Sequence, residues 1–190
     1  MVTTGRARNG AILPPNERPC EDPRWHGSEV VFACPWFAVQ RAGRWHRVTG
    51  AGGAVVLAVA ARGLVMVEVY RPNTGRWHLE LPRGKREESD ESDVACALRE
   101  LHEETGLTGD AASARRLGVV HPDTGLLGPL GVTAIAVDVP EGRRGLTDGE
   151  VAAVRYIPED RIWRRVMAGD VTCGVTLATL ALYVSRRLGE

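Results

Sequence analysis

Lysine is almost missing from this sequence: Lys85 is the single one among 24 basic residues, and all the others are arginine. Beside the 22 glycines and the abundant alanine, that bias reads as genomic composition rather than chemistry. An excess of charge is missing too. The 24 basic side chains balance 24 acidic ones, so nothing favours electrostatic capture by nucleic acid or an anionic membrane. No apolar run is fit to span a bilayer, because the stretches at 54–61 and 171–184 are too short or too rich in Thr and Gly. The first residues hold no long apolar core and no secretory cleavage pattern, so a cytoplasmic protein is expected. Cysteine is sparse and unpatterned. Cys20, Cys34, Cys96 and Cys173 have no C-x-x-C spacing, which argues against a zinc site or a disulfide framework.

What is present suits one ordinary globular domain. The 190 residues are 44% hydrophobic and 25% charged, enough for a substantial core. Residues 1–28 are rich in Pro, Arg, Asn and Gly without periodicity and read as a flexible arm. Residues 29–190 read as a single domain that begins with short strands at 30–33, 36–40 and 45–48, turning at Ala42-Gly43. Segments 54–60 and 64–70 form a hairpin about Arg62-Gly63, Val-rich and apolar on both faces, as central strands are. Residues 78–81 alternate cleanly and stop at Pro82. Further strands are expected at 117–120, 132–139 and 152–157, with a Gly-rich loop at 122–131 and a charged loop at 141–149. Pro158 opens a helix that ends by Gly169, and 175–187 is a final helix. The tripeptide Arg-Trp-His starts at Arg24, Arg44 and Arg76 with unequal spacings, so it is no structural repeat. Trp25 and Trp45 remain candidates for stacking on a nucleobase.

The chemistry concentrates at residues 84–107, GKREESDESDVACALRELHEETGL. At 100° per residue, Glu100, Glu103 and Glu104 share one helix face. Val94, Ala97, Leu98 and Leu101 share another, the side for a core. Like charges at i, i+3 and i+4 repel, and hard divalent cations reverse that sign because they want several carboxylate oxygens. Gly106 suits the left-handed position that closes a helix, while Asp90 and Ser92 both qualify as its N-cap.

The whole string resembles the Nudix box: G, five residues, E, seven residues, then R-E-U-x-E-E-x-G-U with U aliphatic. Arg99-Glu100-Leu101, Glu103-Glu104 and Gly106-Leu107 match every fixed position of the second half, and Glu91 stands the required seven residues before Arg99. One departure is visible: six residues rather than five separate Gly84 from Glu91. Either the loop carries one insertion, or Asp90 fills the acidic place and Glu91 begins the helix.

The resemblance implies an α+β fold, the Nudix α/β/α sandwich, with a mixed sheet between helices and the box as loop-helix-loop. It implies Mg²⁺ (with Mn²⁺ as an alternative) held by Glu100, Glu103 and Glu104, a contact from the Arg83 carbonyl, and Arg99 orienting a glutamate by salt bridge. Three features resemble ADP-ribose pyrophosphatases. Glu80-Leu81-Pro82-Arg83-Gly84 is similar to their E-L-P-A-G run, with Arg83 in place of alanine. Tyr70-Arg71 is similar to their Q-Y-R, with Val69 in place of glutamine, and Pro122 lies near their marker proline. Arg71, Glu80, Arg83 and Pro122 are therefore expected at the substrate. The general base is expected in the loop before the last strand, at Glu150, with Asp148 and Glu141 as alternatives. The implied substrate is a small-molecule diphosphate, with ADP-ribose or an ADP-sugar favoured. A prenyl diphosphate or biosynthetic intermediate is the alternative, and a non-catalytic ligand-binding module the third reading. A homodimer formed through residues 29–48 is the implied assembly.

Overall fold

The computed structural model describes residues 22–140 and 151–189. They fall into two compact units divided between Thr49 and Gly50. The first is a three-stranded antiparallel sheet, β1 (Glu29–Ala33), β2 (Ala38–Ala42) and β3 (Trp45–Thr49), in that order. The strand expected at 36–40 begins later. Trp36 and Phe37 stand in the reversal itself, where the Cys34 N–H donates to the Phe37 carbonyl at 3.0 Å. An aromatic-rich run looks like a strand in sequence, but here it supplies the turn between two strands. Two of the Arg-Trp-His tripeptides meet in this unit. Arg24 lies 4.7 Å from the centre of the Trp45 ring and Arg47 lies 4.1 Å from Trp25, a cation–π arrangement that gives each indole a partner from its own chain. Residues 22–28, expected within the arm, include a short 3₁₀ turn at Pro23–Trp25, where the Asp22 side chain accepts the Arg24 N–H.

The second unit is built on a seven-stranded mixed sheet. Its path runs β10 (Val151–Ile157), β5 (Gly63–Arg71), β4 (Gly53–Ala60), β9 (Val132–Val139) and β8 (Arg115–Val120). A short β6 (Arg76–Glu80) pairs with β5, and a three-residue β7 (Arg83–Lys85) pairs with β4. All pairings are antiparallel except β4 with β9. Parallel neighbours need a crossover, and helix α1 (Asp93–Thr105) lies within that connection. β7 was not expected, because three residues containing a glycine carry no periodic signal.

Strand β4 shows why the sheet is central. Ala54, Val56 and Ala58 face a core with Cys96, Ala97 and Leu101 of α1, while Val55 and Leu57 face one with α2 (Glu159–Met167) and α3 (Gly174–Leu188). Both faces are sealed, which accounts for the unbroken Val-rich run. This is an α/β/α sandwich. Among the described residues no helix is long and apolar enough to cross a membrane. Cys34, Cys96 and Cys173 are free thiols, and burial pushes the Cys96 thiol up to about 11.

Candidate active site

Helix α1 starts where the Ser92 hydroxyl accepts the Ala95 N–H at 3.1 Å, so Ser92 rather than Asp90 is its N-cap. It closes on Gly106, whose φ of 67° is the left-handed conformation. With Cys96, Ala97 and Leu101 sunk into the core, the helix has no freedom to roll, and its acidic face is fixed along the margin of the sheet. Glu100 and Glu104 are 8% and 7% exposed, whereas the Glu103 side chain is 41% exposed.

Arg99 organises the acids. Its Nη1 donates to Glu100 Oε1 and Glu103 Oε2, both at 2.8 Å. Its Nε and Nη2 donate to the two Asp90 oxygens at 3.1 and 2.9 Å, and Nη2 also reaches the Lys85 carbonyl at 2.9 Å. Asp90 accepts the Glu87 N–H at 2.8 Å as well, while Glu91 is exposed. Asp90 therefore stands at the arginine, as the second arrangement expects, but Glu91 does not begin the helix, which starts at Asp93 behind the Ser92 cap. The Arg99 guanidinium and the Glu87 N–H hold the Asp90 carboxyl down at about 2.

Gly84 is the close-approach position. A Cβ there would lie 2.1 Å from Cδ and from both oxygens of Glu100, so only glycine lets that carboxylate rest on the loop. From the adjacent position, the Arg83 N–H donates to Glu104 Oε2 at 3.2 Å. Burial pushes Glu104 up to about 8 and raises Glu100 as well, despite Arg99. One oxygen of Glu100, Glu103 and Glu104 thus accepts from Arg99 or the Arg83 N–H, and the other takes no hydrogen bond from a described residue. No buried side-chain oxygen among the described residues lacks a partner.

That donor set fits a hard divalent cation: carboxylate oxygens only, partly desolvated, mutually repulsive without a counter-charge. Among the described residues no three acidic, His or Cys side chains are already drawn together at coordination spacing. Arg99 is the counter-charge that Glu100 and Glu103 have in this structure, and Glu104 accepts the neutral Arg83 N–H.

A second ionic cluster begins at the same residue. The buried Glu80, 2% exposed, accepts from Arg71 Nη2 at 2.8 Å and from Arg83 Nε at 3.1 Å, with Arg83 Nη2 at 2.9 Å. Burial pushes Glu80 up, but the two guanidiniums outweigh it and hold the carboxyl below its usual range. The sequence marked Arg71, Glu80 and Arg83 separately and missed that they form one group. The β5–β6 register sets Glu80 opposite Val67, on the same face as Arg71 but four residues along the strand, and the reach of the arginine side chain closes the gap.

Pro122 lies in an exposed loop after β8, with no hydrogen bond or ion pair linking that residue to the acidic helix. His102, at the variable position of the motif, is exposed. Glu141, Asp148 and Glu150, the candidates for the general base, lie outside the described residues, as does Cys20.

The NUDIX domain family model matches residues 48–171. An ADP-ribose pyrophosphatase of Bacillus subtilis (strain 168) is 45% identical over 58 residues, a match spanning 30% of this chain and 31% of the Bacillus protein.

Proposed function

The chain belongs to the Nudix domain family, and from that premise we propose that it is a Mg²⁺-dependent hydrolase of nucleoside diphosphates linked to another moiety, with ADP-ribose or an ADP-sugar as the substrate. The observation that carries this reading is the junction at Arg83. Its backbone N–H bonds Glu104 of the acidic helix and its side chain bonds Glu80, which also holds Arg71. Carboxylates for a cation and guanidiniums for a diphosphate are thereby joined through one residue.

A diphosphate resists hydrolysis because its negative charge repels nucleophiles. Glu100, Glu103 and Glu104 would hold the Mg²⁺ (or Mn²⁺), with the Arg83 carbonyl as a further contact. Bound there, the cation would offset the diphosphate charge and lower the pKa of a coordinated water. Arg99 fixes the rotamers of Glu100 and Glu103, and Gly84 leaves room for the Glu100 carboxylate. Arg71 and Arg83 bind phosphate oxygens, for which their planar forks are suited. Glu80 acts through them and holds both forks. Pro122 shapes a loop at the substrate. Glu150 takes the proton from the attacking water, with Asp148 and Glu141 as the competing positions.

A second reading keeps the chemistry and changes the substrate to another organic diphosphate. It is favoured by Val69, buried at 4% exposure, where the resemblance leads one to expect Gln, and by the extra cation at Arg83. The free cysteines support a reducing, cytoplasmic setting. The exposed Val30, Phe32 and Trp36 of the N-terminal unit support self-association as a homodimer, checked by sedimentation equilibrium.

The test of the activity is a panel of ADP-ribose, other nucleotide sugars, dinucleoside polyphosphates, nucleoside triphosphates and prenyl diphosphates with Mg²⁺. The Glu104→Gln variant is the control. AMP and ribose 5-phosphate from ADP-ribose, absent with the variant, are the expected products. Turnover of a different diphosphate alone would leave the mechanism and replace the substrate. Binding without turnover across the panel would overturn the hydrolase reading.

A further inference from the structure

On the sheet face opposite α1, the start of β8 and the last turns of α3 enclose a cavity of about 130 Å³. Its walls are Arg115, Arg116, Leu117, Tyr183, Arg186 and Arg187. Arg115 stands in register with Ala136, which faces the α3 core, so that face sets its place beside the helix. We propose that this cavity binds the phosphate group of a small phosphate monoester. The proposal does not depend on the hydrolase reading.

The four guanidiniums are not equally occupied. Arg187 is paired with the Glu159 carboxylate and donates to the Tyr183 hydroxyl at 3.3 Å. Arg186 Nη2 donates to the Leu117 carbonyl at 3.2 Å. Arg115 and Arg116 have no side-chain hydrogen bond or ion pair among the described residues. Arg115, Arg186 and Arg187 thus border one small space on the α3 side, while Arg116 stands in register with Ile135 of the other face; Glu159 is the single carboxylate bonded to any of these arginines among the described residues. Crowded like charges are unfavourable unless an anion enters. Arginine forks match a tetrahedral oxyanion and bond it bidentately.

Size and lining narrow the ligand class. At about 130 Å³ the cavity has room for a phosphoryl group. The Tyr183 ring and Leu117 add an apolar wall, which inorganic phosphate does not use and the carbon attached to a phosphate ester does. The Tyr183 hydroxyl, raised in pKa chiefly by burial, stays protonated at neutral pH and remains a donor. It donates to Glu159 at 3.3 Å, so Glu159 is the resident competitor for the anion.

The test is calorimetric titration of the full chain with inorganic phosphate and with glycerol 1-phosphate. Both are repeated in Arg71→Ala, which removes an arginine assigned to the diphosphate. Saturable binding that survives Arg71→Ala is expected, weakened at least about tenfold by Arg115→Ala and strengthened by Glu159→Gln. Arg115→Gln serves as a second variant that keeps side-chain length. Tighter binding of the ester would assign an organic phosphate, and equal binding a free oxyanion in the same site. The proposal is overturned if neither ligand saturates, or if binding disappears in Arg71→Ala and ignores both Arg115 variants. Binding of an oligonucleotide with no saturation by either small phosphate would equally overturn it, in favour of a nucleic-acid surface.

Discussion

Two ionic clusters adjoin at Arg83, and they are built in opposite senses. On α1 a single arginine, Arg99, is shared by Asp90, Glu100 and Glu103. Between β5, β6 and β7 a single carboxylate, Glu80, is shared by Arg71 and Arg83. Glu80 is more buried than both of its arginines, whereas Arg99 is more exposed than Asp90 and Glu100 and more buried than Glu103; in each cluster the majority charge is only partly neutralised. The first cluster is therefore left short of positive charge and the second short of negative charge. A metal diphosphate carries both in one molecule. The difference teaches that the two halves should fail differently: the acidic half in turnover, the basic half in substrate affinity.

The largest effect should come from the acidic half. Glu104→Gln and Glu103→Gln are expected to lower kcat at least about a hundredfold. Melting temperature should hold or rise, since repulsion on the helix falls. Steady-state kinetics beside a thermal melt decides it, and wild-type turnover in either variant would remove the acids from catalysis.

Arg99→Ala leaves several carboxylates without their shared cation and is expected to cost about 3 kcal/mol or more of stability, read by urea unfolding. Arg99→Lys should recover only part, because an ammonium cannot reproduce the fork. Full recovery with lysine would show that Arg99 contributes charge alone.

In the basic half, Arg71→Ala is expected to raise KM for diphosphate substrates about tenfold while kcat changes little. An unchanged KM would break the comparison, because it would leave the second cluster with no part in substrate binding.

The smallest effect is in acid. Asp90 is held at about 2 in the folded chain, below its ordinary 3.8, so its contribution is present above about pH 4 and is lost as pH falls toward 2. Melting temperatures across that window should fall less steeply for Asp90→Asn than for the wild type. Parallel curves would mean that the Arg99–Asp90 bond does not contribute to stability in acid.

Legibility followed locality. Glu100, Glu103 and Glu104 were readable because one helix fixes their spacing, and the hairpin β4–β5 because both faces are apolar. The Ser92 cap, by contrast, could not be separated from Asp90 without hydrogen bonds, since both residue types cap helices. The Glu80 group was unreadable as a group because it needs Arg71 and Glu80 on one face of the β5–β6 pair and an arginine side chain laid along the strand between them. Trp25 and Trp45 looked like open stacking faces, and only the folded sheet brings Arg47 and Arg24 over them. β7 is too short for any pattern, yet it pairs Gly84 with Ala54 of the central strand.

The one parallel pairing also governs when the helix of the site is fully packed. β4 meets β9 through partners such as Val56 and Ile135, roughly eighty residues apart, and contacts of that range close slowly. The core beneath α1 combines Ala54, Val56 and Ala58 of β4 with Ile135 and Val137 of β9, so a chain emerging from synthesis has made all of its box before that core is complete. Arg99 and its acids can pair early, within their own segment. The core under the helix that carries them closes only once β9 has arrived, so the helix gains its last packing partners after the site residues themselves are in place.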